Sequence, residues 1–313
     1  MLPIDSKVAT FYITDDRLQV WGDDILYNHK NYWEAQYTTV SDVRQSSGYP
    51  VNTFKSLVEL TGQIAIRNRQ FDTFFRGQKE DHKDRNGRSI IYPSICRPDK
   101  KEDGTYNSCI DTSTIVQRFK KLESFIQFLQ EKGRKKSYSE FHYALIQHYE
   151  ILQTPLIDIT QSLRVAATFA LKNSKKGYLY VLGLPYPHGS ISHYIDLNTV
   201  LVKLQNVCPA KACRPRYQEG FLVGRLPFAP SKEVGDNLAK RLIAKFRLDN
   251  TKGKFWDDTF SPLPEELLFP QKDMYLAWLQ KMYAEFCLKS QSRIIPLNND
   301  HYARGENLSL PKE

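Results

Sequence analysis

What this 313-residue chain lacks narrows its class before any motif is read. No apolar run approaches the ~20 residues that span a bilayer, and the longest, around Tyr178–Leu184, is far shorter. Met1–Phe11 holds no basic segment followed by a continuous apolar stretch, so neither a secretory leader nor a membrane partner is expected. The five cysteines, Cys96, Cys109, Cys208, Cys213 and Cys287, are odd in number and scattered. That pattern argues for reduced thiols in the cytoplasm rather than a disulfide framework. Cys208 and Cys213 have a spacing that zinc sites use, but no second Cys/His pair lies near them in sequence, so no metal is expected. There is no Gly-x-Ser-x-Gly elbow, no His-Glu-x-x-His helix and no Gly-x-x-x-x-Gly-Lys loop. Serine-hydrolase, zinc-protease and P-loop chemistry lose their sequence signatures with them.

What remains is an ordinary globular composition. The chain is 41% hydrophobic and 25% charged, with 15 Gly and 16 Pro, which argues against a disordered, collagen-like or coiled-coil chain. A chain of this length buries roughly three quarters of its unfolded surface, enough for a core without covalent staples. The 44 Lys+Arg against 35 Asp+Glu give a net charge of +9. The excess is spread out, and its densest runs, Lys132–Lys136 and Lys172–Lys176, read as solvated helix ends, where cations are favoured. Charge alone leaves a nucleic-acid or acidic partner open.

Hydrophobic periodicity divides the chain. Residues 1–50 hold short β-favouring runs (Thr10–Ile13, Leu18–Trp21) and a polar loop ending at Gly48–Pro50, an N-terminal β-rich elaboration. Residues 51–289 form the main domain and 290–313 a polar tail. A helix from Asn52, interrupted near Gly62, precedes a strand over Phe71–Arg76 that breaks at Gly77. Ile115, Phe119, Leu122, Phe125, Ile126 and Leu129 repeat at steps of three and four, which predicts a helix over Thr112–Lys132 capped by Asp111 or Thr112. Helices are also predicted at Ser139–Tyr149, Ser162–Lys172 and Asp273–Lys289. Strands are predicted at Leu156–Thr160, Tyr178–Leu184, Ser192–Asp196, Phe221–Leu226 and Arg241–Arg247. Strands mixed with helices, without regular βαβ alternation, point to an α+β fold with a mixed, split β-sheet and surrounding helices.

Four segments carry the chemistry: Phe75-Arg76-Gly77-Gln78; Tyr92-Pro93-Ser94 with Arg97; Gln147-His148-Tyr149 leading to Leu156-Ile157-Asp158-Ile159-Thr160; and Ala166–Ala170. In this order and spacing the chain resembles the FRG domain, a family named for its Phe-Arg-Gly motif, over roughly residues 51–285. Gln218-Glu219-Gly220-Phe221 and Leu268-Phe269-Pro270 resemble its closing motifs. Two departures stand out: Glu150 replaces a glycine after Gln-His-Tyr, and Ile159 replaces a tryptophan between Asp158 and Thr160. The resemblance implies a bacterial or phage protein and suits a toxin or phage-defence effector.

A more distant resemblance, to arginine-type mono-ADP-ribosyltransferases, implies an ADP-ribosyltransferase-like core and NAD as cofactor. It rests on Phe75-Arg76-Gly77 at a strand end, Asp158-Ile159-Thr160 before the Ala-rich helix and Gln218-Glu219 late in the chain. On that reading Arg76 forks onto a pyrophosphate, Gly77 lets backbone approach, and Glu219 stabilises an oxocarbenium-like ribosyl cation. The transferase pattern sets its glutamate at the place held here by Gly220, one residue later. Candidate catalytic residues are Arg76, Glu219 and His148. Candidate ligand contacts are Arg76, Gly77, Gln78, Tyr92, Ser94, Arg97, Gln147, Tyr149, Asp158, Thr160 and Gln218. The alternatives stay open: a non-catalytic interaction or ligand-sensing module in which Arg76 and Asp158 form a structural ion pair, or a basic nucleic-acid-binding protein. Nothing in the sequence sets the acceptor, the partner protein or the oligomeric state.

Overall fold

The computed structural model describes residues 18–19, 37–98, 110–133, 139–225, 228, 237–270 and 273–292. Near the N-terminus, β1 (Leu18–Gln19) pairs antiparallel with β2 (Tyr37–Thr38). The strand predicted at Thr10–Ile13 and the tail beyond Ser292 lie outside the described residues. The main sheet is built from β3 (Tyr49–Val51), β4 (Asp72–Gln78), β5 (Leu156–Thr160), β6 (Lys176–Leu184), β7 (Ile191–Tyr194), β8 (Thr199–Lys203), β9 (Gly220–Arg225) and β10 (Leu242–Asp249). Their order is β3-β10-β6-β4-β5-β9-β8-β7. It is a mixed sheet: β3 runs parallel to β10, and every other neighbouring pair is antiparallel. It is open, with β3 and β7 at its edges, and the fold is α+β.

The centre of this sheet is where it nearly divides. β4 pairs with β6 from Asp72 to Gln78, and β5 pairs with β9 from Leu156 to Thr160. Between β4 and β5 the ladder holds one residue pair, Phe75 with Thr160. Two four-stranded halves therefore meet at a point and diverge beyond it. Divergence leaves backbone groups that a continuous ladder would have paired, and such groups need other partners.

Nine helices surround the sheet among the described residues: α1 (Val40–Gln45), α2 (Phe54–Arg67), α3 (Thr112–Lys132), α4 (Ser139–His148), α5 (Leu163–Leu171), α6 (Leu204–Val207), α7 (Arg214–Tyr217), α8 (Glu265–Leu268) and α9 (Met274–Ser292). Two hydrophobic cores result, and β5 and β9 serve both by alternation. Ile157, Ile159, Phe221 and Val223 join the core that holds α1, α2 and α5. Leu156 and Leu222 join the other, with α3, α4 and α9. Asp158 and Thr160 thus share a face with Leu156 by the period of the strand.

Local chemistry explains the long helices. All six predicted apolar positions of α3 are buried, and Asp111 Oδ1 accepts the Thr114 N–H at 2.7 Å as its N-cap. α4 ends in a Schellman motif: Ile151 N–H donates to Ile146 O and Glu150 N–H to Gln147 O, both at 3.0 Å. α5 is short and small-sided because it lies directly on β4 and β6. A Cβ on Gly77 would fall 1.8 Å from Ala166 O, and one on Gly177 would fall 2.2 Å from Ala170 O.

The structure departs from the sequence reading at several elements. α2 runs unbroken through Gly62. The glycine's cost of about 1 kcal/mol is outweighed by burial of Phe54, Leu57, Thr61 and Ile64, while Val58 is exposed. β4 continues through Gly77 to Gln78, because Gly77 is needed for helix contact and not for a turn. Tyr49–Val51 is a sheet edge rather than loop, and Thr199–Lys203 forms β8, a strand missing from the sequence reading.

A buried polar cluster ties α1 and the loop after β4 to the sheet. Lys245 Nζ, fully enclosed, donates to Ser89 Oγ (2.8 Å), Asp81 Oδ2 (3.0 Å) and the Arg44 carbonyl (3.2 Å). Asp81 Oδ1 accepts from Ser89 Oγ (2.6 Å) and from the Tyr180 hydroxyl (2.9 Å). Each ammonium proton has a partner, as a buried cation requires.

Candidate functional site

A cavity of about 190 Å³ opens where β4 and β5 diverge. One wall is apolar: Phe75, Ile159, Val165, Ala166 and Phe169. The other is polar and carries Arg76, His148, Glu150, Asp158, Thr160, Arg214 and Gln218.

Arg76 stands just past the single pair that joins the halves. Its Nη1 donates to the Asp158 carbonyl, the group that a continuous β4–β5 ladder would have engaged. The guanidinium therefore closes the split on one side. Its Nε is shut off from solvent and has no partner. Burial, reinforced by the nearby Arg97 charge and opposed by Asp158 and Tyr180, lowers the Arg76 pKa to about 10. It stays cationic at neutral pH.

The Asp158 carboxylate turns away from Arg76. Oδ2 accepts from Gln147 Nε2 at 2.6 Å, and Oδ1 lies 3.4 Å from His148 Nδ1. Burial pushes this carboxyl up, but hydrogen bonds and charge from His148, the Gln147 amide and the Arg76 guanidinium outweigh it, and the pKa falls below the usual carboxylate value. His148 ends α4 with 1% of its surface exposed. Burial lowers its pKa against the pull of Asp158, so the ring is neutral at pH 7. An ionised carboxylate can only accept, so Nδ1 carries the proton and donates to it. Nε2 is then a lone pair, and it has no partner in the protein.

Gln147 is oriented in turn. Thr154 Oγ1 donates to its Oε1, and Ser94 Oγ lies 3.4 Å from the same atom while accepting the Thr154 N–H at 2.9 Å. Fixing the amide oxygen on hydroxyls forces the amide nitrogen onto Asp158. Hydrogen bonds thus run in one direction, from Thr154 through Gln147 to Asp158, where His148 also donates.

Arg214 completes the polar wall from the first residue of α7. Nη2 donates to Glu150 Oε1 at 2.8 Å, and its guanidinium lies 4.7 Å from the Phe269 ring centre. Its Nε is buried and unpartnered. Glu150 sits at φ +56°, the left-handed position of the Schellman motif where glycine is usual. The glycine of the resembled pattern thus has a backbone reason, and the glutamate here sets a carboxylate on Arg214.

Of the sequence candidates, Arg76, Gly77, His148, Asp158, Thr160 and Gln218 line the cavity. Gln147 and Ser94 stand behind Asp158. Tyr149 is buried, and its hydroxyl donates to Asp273 Oδ2 at 2.8 Å. Thr160 Oγ1 donates toward the Gln218 and Glu219 carbonyls and accepts the Ser162 N–H, so it joins β5 to the start of β9. Gln218 is held by its own donation to Leu268 O at 2.8 Å. Gln78, Tyr92, Arg97 and Glu219 do not line the cavity. Glu219 is exposed, turned out by its own left-handed backbone at φ +45° immediately before β9. The space beside Gly77 is filled by the Ala166 carbonyl. The Arg76–Asp158 contact runs through the main-chain carbonyl and not the carboxylate.

Sequence reasoning missed Arg214 and Glu150 as lining residues. The one signal for Arg214 was its Arg-Pro-Arg setting just ahead of Tyr217-Gln218, which the even spread of charge obscured. Among the described residues no group of three or more His, Cys, Asp or Glu is placed to hold a metal, and no helix is long and apolar enough to cross a membrane. Cys96, Cys208, Cys213 and Cys287 are free thiols, with Cys208 pushed up to about 12 by burial.

A cavity at a split in an open mixed sheet, closed by an arginine just past the junction, defines a compact α+β domain. Residues 72–178, from the first residue of β4 into β6, match the family model of the FRG domain, and the chain carries an FRG domain over this span. The matched segment supplies Arg76, Gln147, His148 and Asp158, whereas Arg214 and Gln218 come from beyond it. No curated protein and no solved structure matches the chain.

Proposed function

We propose that this domain binds a phosphate-bearing, nucleotide-like small molecule in the cavity at the split, with NAD as the cofactor the sequence suggests. One observation carries the reading: two arginines, Arg76 and Arg214, line one small cavity, and each has a buried Nε with no partner. An unpaired buried donor costs about 1–3 kcal/mol, and an anion recovers that cost. Guanidinium groups suit phosphate because their donors form a planar fork. At about 190 Å³ the cavity is smaller than the roughly 300–1,000 Å³ of drug-sized ligand sites. It fits one phosphate with an attached small group, so the rest of a dinucleotide would lie outside.

ADP-ribosyl transfer needs a carboxylate beside the ribosyl carbon. Glu219 is turned outward, which leaves Asp158 and Glu150 as the carboxylates on the cavity. Calorimetric titration with pyrophosphate, ADP-ribose and NAD tests the binding reading. Binding of at least one is expected, with a loss of tenfold or more in Arg214→Gln. Arg214 faces the exposed Glu150, so this variant keeps its fold more readily than Arg76→Ala. Absence of binding by all three, or affinity unchanged in Arg214→Gln, refutes the reading. Retention on nucleic acid that falls steeply with salt would instead favour the basic surface.

A further inference from the structure

The polar wall offers an acceptor as well as donors, and that narrows the ligand. The hydrogen bonds behind His148 have one direction. Thr154 Oγ1 donates to Gln147 Oε1, Gln147 Nε2 donates to Asp158 Oδ2, and Asp158 Oδ1 receives His148 Nδ1–H. Reversing any link would set two acceptors or two donors against each other. With that proton on Nδ1, a neutral ring leaves Nε2 as an acceptor. It is buried and unpartnered on a ring that lines the same cavity as Arg76 and Arg214. A bare anion satisfies the arginines and leaves Nε2 unpaired. A ligand with a hydroxyl near its phosphate satisfies all three.

We propose that the ligand group held in this cavity is a phosphorylated sugar, its phosphate on Arg76 and Arg214 and one hydroxyl donating to His148 Nε2. The inference rests on the phosphate-binding reading and assigns His148 a specificity role within it. A pentose phosphate also matches the cavity in size better than a whole nucleotide does. A site built to pair a hydroxyl discriminates against an analogue lacking it, because the buried acceptor is then left unpaired.

The test compares ribose 5-phosphate with methyl phosphate, which has the same charged group and no hydroxyl at pH 8. With the full chain, calorimetry is expected to give ribose 5-phosphate roughly tenfold tighter, the worth of one such hydrogen bond. In His148→Phe the preference for ribose 5-phosphate over methyl phosphate should fall to about twofold or less. If methyl phosphate binds the native chain and ribose 5-phosphate binds no tighter, the sugar assignment is overturned and the phosphate reading survives. If neither binds, both fall together. Because His148→Phe also strips a donor from Asp158, a second measurement uses the native chain alone. Nitrogen-15 NMR of its histidines should show His148 as the Nδ1–H tautomer, with an Nε2 resonance that shifts with ribose 5-phosphate and much less with methyl phosphate. An Nε2–H tautomer or an imidazolium at pH 8 overturns the proposal.

Discussion

Two clusters of buried charge sit on this sheet, and they differ in what is left over. Around Lys245, each ammonium proton has an acceptor, and both Asp81 oxygens are engaged. Around Arg76, the protein provides one acceptor and then stops: Arg76 Nε, Arg214 Nε and His148 Nε2 are all closed off and unpaired beside a cavity. Both clusters hold an inward-turned cation and an aspartate. Burial of charge therefore does not distinguish a site from a brace. Unspent hydrogen-bonding capacity at a cavity does.

The strongest way to break the comparison is to damage the brace. Lys245→Ala leaves the buried Asp81 with only the more distant Lys83 (4.0 Å) as counter-charge, and about 3 kcal/mol of stability should be lost. Urea denaturation measures that loss, and titration with pyrophosphate should find unchanged affinity in the folded fraction. A loss of affinity at full stability would mean that the two clusters had been assigned the wrong way round.

Gly77→Ala probes how the site is held open. Its Cβ would collide with the Ala166 carbonyl, so α5 must shift off β4. A cost of about 1–3 kcal/mol is expected, with weaker pyrophosphate binding because Val165, Ala166 and Phe169 move with the helix.

Acidification sharpens the contrast. His148 is held below the imidazole's ordinary 6.5 by burial, so below that value the unfolded chain binds a proton that the folded chain does not. Stability is complete above about 6.5 and declines as pH falls below it. Asp158, also held below its ordinary 3.8, adds a second loss at lower pH. Melting temperatures from pH 7.5 to 5 should fall more for the native chain than for His148→Phe.

Glu150→Gly should have the smallest effect. Relief of the left-handed backbone yields about 1–2 kcal/mol, offset by loss of a surface ion pair worth about 0–1 kcal/mol. A slightly raised melting temperature is expected, together with tighter pyrophosphate binding because Arg214 loses its internal carboxylate. Unchanged affinity would show that Glu150 does not compete for Arg214.

Much of this was written locally along the chain. The spacing of Ile115, Phe119, Leu122, Phe125, Ile126 and Leu129 fixes α3, and the run Leu156–Thr160 is β5 residue for residue. The pairing of Arg76 with the Asp158 segment was also readable, because strand-end motifs advertise themselves by residue type. Which atoms met was not. Sequence proposed an ion pair, whereas the guanidinium takes the carbonyl and leaves the carboxylate to Gln147 and His148. Glu219 was chosen by its place in a motif, and one left-handed residue turns it outward. Arg214 was not chosen, since its one local signal, the Arg-Pro-Arg setting, was lost among the other 43 basic residues.

Periodicity, capping and small-residue runs are properties of neighbours along the chain, so the sequence by itself determined the five longer helices, most of the strands, the α+β class and the motif residues. The split between β4 and β5 and the inward turn of Arg214 onto Glu150 depend on segments tens of residues apart, and the hydrogen bonds that converge on Asp158 depend on the end of α4 being packed beside β5. Tertiary structure alone decided those, because hydrogen-bond direction and orphaned donors exist only once distant groups have been packed beside one another.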